Sequence, residues 1–200
     1  MPIYIRLGGC IPYWGRLLEH LNSNSMIKPL LFESFSLFTD FVMHLPLACI
    51  RNLYAKIIFK EFGKGSQLAR HVHLIAPYRI SIGKNVFINR NVTLDGRSNL
   101  TIGDNTDIGE YCSIWTLQHD IDSPTHATVG KPTTIESYCW IAPRSIILPG
   151  VRVKRGGVVA TNSVVTKDTD ECVLIAGAPA KTIKKRHNNL SYELKYKMYL

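Results

Sequence analysis

The 200-residue chain has no C-x-x-C pair, and its five cysteines follow no metal-ligand spacing. That sets aside a cysteine-built metal site. Unpaired, reduced thiols fit a cytoplasmic protein. There is no long uncharged apolar run either. The most apolar stretch, 29–50, contains Glu33, Asp40, His44 and Pro46. Carboxylates near its middle exclude a membrane-spanning helix. The start, MPIYIRLGGCIPYWG, lacks a basic region followed by a long apolar one, so no signal peptide is expected. Acidic residues are scarce, 15 against 24 Lys and Arg, and the formal charge is +9. Such a charge suits nucleic acid, an anionic membrane or a phosphorylated ligand. No RNA- or DNA-binding motif is present, so nucleic acid is not expected as a partner. The charge is gathered in two places: KTIKKRH at 181–187, and Arg51, Lys56, Lys60 and Lys64.

What is present begins with helix. Leu31, Phe35, Phe38, Val42 and Leu45 recur at spacings of four and three, with Glu33, Ser36, Asp40 and His44 opposite. This is an amphipathic stripe, and Pro46 should break it. A second pattern places Ile50, Leu53, Tyr54, Ile57 and Ile58 on one side and Arg51, Lys56 and Lys60 on the other. Two readings stay open. The helices of segment 1–66 cap the main domain, or residues 29–60 lie against an anionic membrane at its inner face. EFGKGS at 61–66 ends the segment.

The chain then counts in sixes. An aliphatic residue recurs at Ile82, Ile88 and Leu94, at Ile102, Ile108 and Ile114, and at Ile135, Ile141, Ile147, Val153, Val159 and Val165. Four residues after each comes a small side chain, among them Val86, Val92, Thr106, Cys112, Cys139, Ser145 and Ser163. Glycine, asparagine and aspartate fill the turn positions. A fixed period of six with one inward aliphatic residue per step predicts a three-sided parallel β-helix over residues 67–180. Two features interrupt it: a two-residue insertion near Ser98–Asn99, and a loop at 116–134, TLQHDIDSPTHATVGKPTT. The ending LSYELKYKMYL, within the basic tail 181–200, reads as a short helix.

The repeat, the helical start and the ending VVTKDTDECVLIAGAPAKTIKKR together resemble the hexapeptide-repeat acyltransferases, nearest the sugar O-acetyltransferases of galactoside/maltose type and those of capsule, colanic acid and lipopolysaccharide biosynthesis. The resemblance implies a left-handed β-helix, a homotrimer with sites between subunits, acetyl-CoA as co-substrate and a saccharide or glycolipid acceptor. His119, at the start of the loop, takes the place of the family's general base. An imidazole titrates near neutrality, as deprotonation of a hydroxyl requires. His126 reads as a surface or acceptor-contact residue, and Asp120 either orients His119 or begins a turn. On the acceptor side the resemblance points to Asn89, with Phe87 beside it. Asp95 could hold sugar hydroxyls or could be a turn residue. Trp115 could stack on a sugar ring or merely pack. On the donor side it points to Trp140, Ala142, Ala160, Thr161, Thr166 and Lys167, and to Lys181 and Lys184 for the phosphates of CoA. Pro143 departs from the family pattern. It has no N–H for the thioester oxygen, and the Ala142 N–H or a side-chain donor would have to serve. Zinc, as in carbonic-anhydrase relatives of this fold, would need three histidines. The 119/126 spacing does not match, so no metal is expected. The competing functions are acetylation of an amino sugar or another small acceptor, and a non-catalytic β-helix scaffold.

Overall fold

The computed structural model describes residues 27–196. Helix α1 (Ile27–His44) and helix α2 (Ala48–Ile58) are followed by short strands stacked into a left-handed parallel β-helix. Pro46 falls in the gap between the helices, as its missing N–H demands. The first coil begins at Glu61, so EFGKGS is already its first strand and turn. Five complete coils give three sides. The first side carries Glu61–Phe62, Ile80–Ile82, Leu100–Ile102, Thr133–Ile135 and Arg152–Val153. The second side carries Gln67–Leu68, Phe87–Ile88, Asp107–Ile108, Trp140–Ile141 and Val158–Val159, then Val173–Gly177 of a sixth coil. The third side ends the coils with His73–Ile75, Thr93–Asp95, Ser113–Ile114, Ile146–Ile147 and Val164–Val165.

The six-residue period becomes ladder register. Ile82, Ile102, Ile135 and Val153 stack on the first side, and Ile88, Ile108, Ile141, Val159 and Ile175 on the second. Leu74, Leu94, Ile114, Ile147 and Val165 stack on the third. All are buried, and each contributes roughly 1.5–3 kcal/mol relative to exposure. The small residues fill the corners, where the backbone leaves least room: Val92, Thr106, Cys112, Ser145 and Ser163 are fully buried. The hydroxyls among them bond to the backbone of the next coil: Thr106 Oγ1 donates to Glu136 O at 3.0 Å and Ser145 Oγ to Ala160 O at 2.9 Å, while Ser163 Oγ accepts the Gly177 N–H at 3.1 Å. Burial pushes the Cys112 and Cys139 thiols up to about 11 and about 12, so both are packing residues rather than nucleophiles. The turns run through the left-handed region at Asn85, Asn91, Asn105 and Asn162, which asparagine tolerates.

The helices cap the first coil and bury only part of the faces their periodicity indicated. On α1, Val42, Met43 and Thr39 are buried, while Leu31 and Phe38 are exposed. On α2 the inward residues are Ala48, Arg51, Ala55 and Ile58, and Ile50, Leu53 and Ile57 face outward. The charged residue assigned to the solvent side is thus fully buried. Arg51 donates from Nε to Leu68 O at 3.1 Å and from Nη1 to Leu45 O at 2.5 Å, tying both the interhelical turn and the first coil to α2. Its Nη2 has no partner among the described residues. Desolvation, and then the charge of Arg70, lowers its pKa from the usual arginine value. Arg51→Ala should lower stability by about 3 kcal/mol, because two carbonyls lose their donors in a dry site. Urea unfolding followed by helical circular dichroism measures it.

The described part of the C-terminal ending is not helical. Residues 190–196 cross the second side as an extended strap. Tyr192 meets Tyr138 edge-on at 5.2 Å, and Tyr196 lies against Phe87 at 4.5 Å. Arg155 holds Leu190 O at 3.2 Å. Aromatic packing along the strap outweighs the local preference for helix. The basic run is not a loose tail, because Ala180–Lys185 pairs antiparallel with Val173–Gly177.

Candidate active site

Both interruptions of the repeat fall at one corner, where the third side of one coil passes to the first side of the next. The step from Leu94 to Ile102 carries the two-residue insertion, and the step from Ile114 to Ile135 in the following coil carries the loop. The shorter one supports the longer. Asp95 is fully buried. Its Oδ2 accepts the Thr116 N–H at 3.0 Å, and its Oδ1 accepts the Arg97 N–H, also at 3.0 Å. The Arg97 guanidinium grips both oxygens, at 2.9 and 3.1 Å. Thr116 Oγ1 then accepts the Ser98 N–H at 2.9 Å, and Thr133 Oγ1 donates to Trp115 O at 2.7 Å. The corner has no spare room. A Cβ at Gly96 would stand 2.4 Å from Ala76 O, and one at Gly130 would stand 1.9 Å from Ser98 Oγ.

Asp95 therefore does not reach out to a ligand. It anchors the start of the loop, which corrects its assignment to the acceptor side. Desolvation by burial, the largest single effect, pushes its carboxyl up. The side-chain bond from Arg97, the backbone bonds from Thr116 and Arg97 and the Arg97 charge more than reverse this, and the net pKa is lowered.

On this base the loop rises as a two-stranded hairpin, Leu117–His119 against Thr128–Gly130. His119 is exposed. Its Nδ1 lies 3.0 Å from the carbonyl oxygen of His126. A carbonyl can only accept, so Nδ1 carries the hydrogen, and in the neutral ring Nε2 keeps the lone pair. The two imidazoles are stacked, 3.8 Å between centroids and 11° between planes. Asp120 begins a turn: its Oδ1 accepts the Asp122 N–H at 3.0 Å, and its own N–H goes to Ala127 O at 2.8 Å. Of its two open roles, the turn is the one the bonding supports. His119 borders an open cavity of about 320 Å³ with Gln118, Asp120, Ile121, Val129, Lys131 and Pro149. Gln118 and Lys131 belong to the loop 116–134 but nothing in the sequence marked them within it, and Pro149 carried no signal at all. Trp115, half-buried, sits at the hairpin base, and Thr166 and Lys167 are exposed at the same corner two coils on.

The remaining site residues lie elsewhere. Phe87, Asp107, Trp140, Val158, Leu174 and Lys184 form one register column across the second side. Trp140 and Lys184 are exposed and three strands apart, about 14 Å. Lys181, on the same strand as Lys184, is exposed too. Asn89 follows the column, but its amide is engaged by Asp107 Oδ1 and Ile108 O, both at 3.1 Å. Asp107 was not singled out by the sequence. Burial raises its pKa, against bonds from Tyr196 and Asn89 that lower it. Ala160 and Thr161 stand at the corner between second and third sides, and the Ala160 N–H is already bonded to Ile175 O at 2.9 Å. Ala142 needs correction. It is 4% exposed and its N–H donates to Val159 O at 2.9 Å, so it is not a free oxyanion donor. In a three-sided prism the second side faces away from the corner between third and first. One copy thus shows His119 on one flank and Trp140 with Lys184 on the other.

The described histidines meet only in pairs. His71 meets His44 of α1 edge-on at 4.4 Å, and His73 Nδ1 lies 3.4 Å from Asp40, at the helical end of the molecule. Among the described residues no three His, Cys, Asp or Glu side chains converge as a metal site would need, and no helix is long and apolar enough to cross a membrane.

No protein-family model matches the chain. Individual proteins do. The galactoside O-acetyltransferase of Escherichia coli K12 is 30% identical over 142 residues, 68% of this chain and 68% of that protein. A Schizosaccharomyces pombe protein named as an acetyltransferase is 34% identical over 114 residues, 56% of this chain and 55%, about half, of the relative's length. Among solved structures, a hexapeptide-repeat acetyltransferase of Vibrio cholerae complexed with acetyl-CoA superposes with a TM-score of 0.74 at 30% identity, over 84% of this chain and 94% of the other.

Proposed function

Because the chain belongs to the hexapeptide-repeat acetyltransferases, we propose that it transfers an acetyl group from acetyl-CoA to a hydroxyl of a saccharide. The observation that carries this reading is the set of His119. Its Nδ1 is occupied by the His126 carbonyl, and the hairpin holds the ring beside an open cavity. Nε2 takes the proton of the acceptor hydroxyl. The freed oxygen attacks the thioester carbonyl carbon, forming the new C–O bond. The tetrahedral intermediate then breaks its C–S bond, and the imidazolium returns its proton to the departing sulfur. No covalent enzyme intermediate is required.

Trp140 lies beside the pantetheine arm, and Lys181 and Lys184 neutralise CoA phosphates. Trp115 flanks the acceptor. His119 and Trp140 lie on opposite flanks of one copy, so the site closes only where the corner of one subunit meets the second side of the next. Three copies arranged head to tail in a ring satisfy this. The acceptor belongs to a surface polysaccharide or its lipid-linked precursor. The support is the exposed apolar face of the two helices, with Leu37 at 70%, Phe41 at 62%, Leu53 at 63% and Ile57 at 61% exposure, and Lys56 and Lys60 beside it. That face suits contact with an anionic membrane from the cytoplasmic side.

The test is acetyl transfer from labelled acetyl-CoA to a panel of glycans and lipid-linked intermediates, with the product located by mass spectrometry. An ester on a sugar hydroxyl is expected. An amide on an amino sugar would move the reading to N-acetylation, and binding of acetyl-CoA without transfer to any acceptor would leave a scaffold.

A further inference from the structure

We propose that His126 is a positioning residue for His119, acting through its carbonyl and its imidazole face together. The inference rests on the acetyl-transfer reading above. A general base needs its lone pair aimed, and a single hydrogen bond at Nδ1 leaves the ring free to rock about that bond. The stack removes this freedom. With the His126 ring parallel at 3.8 Å, His119 cannot tilt towards it, and the Nδ1 bond to the same residue fixes rotation in the ring plane.

The local backbone is arranged to bring both groups from one residue. His126 stands at φ +52°, in the left-handed region that a non-glycine residue adopts only when its surroundings hold it there. The conformation is held by the loop around it. Ser123 O accepts the His126 N–H at 3.1 Å, Ser123 Oγ accepts the Thr125 and Ala127 N–H groups at 3.3 and 3.1 Å, and Ala127 O accepts the Asp120 N–H at 2.8 Å. Both imidazoles are exposed, so hydrophobic burial does not explain why they lie face to face. The turn begun by Asp120 and Ser123 exists to deliver the His126 carbonyl and ring to His119. This also reassigns His126 from surface or acceptor contact to the support of the base.

The experiment compares the full-length protein with His126→Ala and His126→Phe. Imidazole 15N spectra report the tautomer of His119, and steady-state kinetics report kcat and both KM values. In the wild type, His119 should show the Nδ1–H tautomer, the minority form of a free histidine. His126→Ala keeps the main-chain carbonyl and removes only the ring, so the loss of the stack should loosen the Nδ1 bond, mix the tautomers and lower kcat by about 10-fold with both KM values little changed, since small misplacements of a reacting group are costly. His126→Phe keeps a flat ring in the same place and should restore the tautomer and most of kcat. Unchanged tautomer and kcat in His126→Ala would overturn the proposal, and so would a rise in acceptor KM alone, which assigns His126 to the acceptor. The spectra do not depend on turnover. If no variant and no wild type transfers acetyl, the function is wrong, while the tautomer still decides the positioning.

Discussion

His119→Ala should lower kcat by about 1,000-fold, the middle of the range for loss of a general base, with the fold intact. The side chain is exposed, and its one hydrogen bond among the described residues is to a carbonyl at the loop surface, so its removal leaves no buried group unpaired. The hairpin keeps its ladder, and Asp95, Thr116 and Thr133 still clamp its base. Circular dichroism and the unfolding midpoint should match the wild type. An active His119→Ala enzyme would end the assignment. The same variant tests where the site lies. Mixed with a Trp140→Ala chain, unfolded and reassembled together, it should regain activity that neither variant has alone, because one copy then supplies His119 and its neighbour Trp140. If mixing recovers nothing, the two residues do not meet across subunits.

Asp95→Asn should be the most damaging conservative change for stability, about 3 kcal/mol or more at pH 7. Removing one member of a buried ion pair leaves its partners facing an unsuitable group. The amide offers one acceptor oxygen where Arg97 and Thr116 use two, and it turns an NH2 towards donors. The pH dependence has a definite sign. The folded pKa of Asp95 is lowered, so its contribution is present above the unfolded carboxyl value, near 3.9, and is lost as pH falls through the folded value. The gap between wild type and Asp95→Asn in urea midpoints should hold from pH 7 to pH 5 and shrink below pH 4. A gap that stays constant down to pH 3 would show that the charge on Asp95 is not what holds the corner. Because Thr116 leads into the hairpin, the variant should also lose kcat.

The coils were legible because period and structure coincide. Each inward position, from Ile82 to Val165, has one environment, and the ladder repeats it. The loop was legible as a break in that count. The roles of Asp95 and Ala142 were not, since a turn carboxylate and an alanine carry no mark of what their polar groups bind in the next coil. That Asp95 reaches Thr116, twenty-one residues on, is a fact about stacking. The helices misled for another reason. Both α1 and α2 have apolar residues on more than one face, so periodicity found a stripe but did not say which side meets the coil. Arg51 then defeated the simple rule by using carbonyls as partners inside the core. The strap at 190–196 was read as helix because its contacts, Tyr138 and Phe87, lie 54 and 109 residues away in sequence.

A stack of parallel strands is open at both ends, and each terminal strand is a template on which another chain could add. Among the described residues the helices cover one end, and at the other the second side is closed by a strand that cannot serve as a further coil. α2 lies over the strands Glu61–Phe62 and Gln67–Leu68. At the other end Ala180–Lys185 reverses direction and lays an antiparallel, lysine-rich edge along the sixth coil. Charge and reversed polarity at that edge oppose further growth, where the same repeat without such an edge would offer a template to another chain.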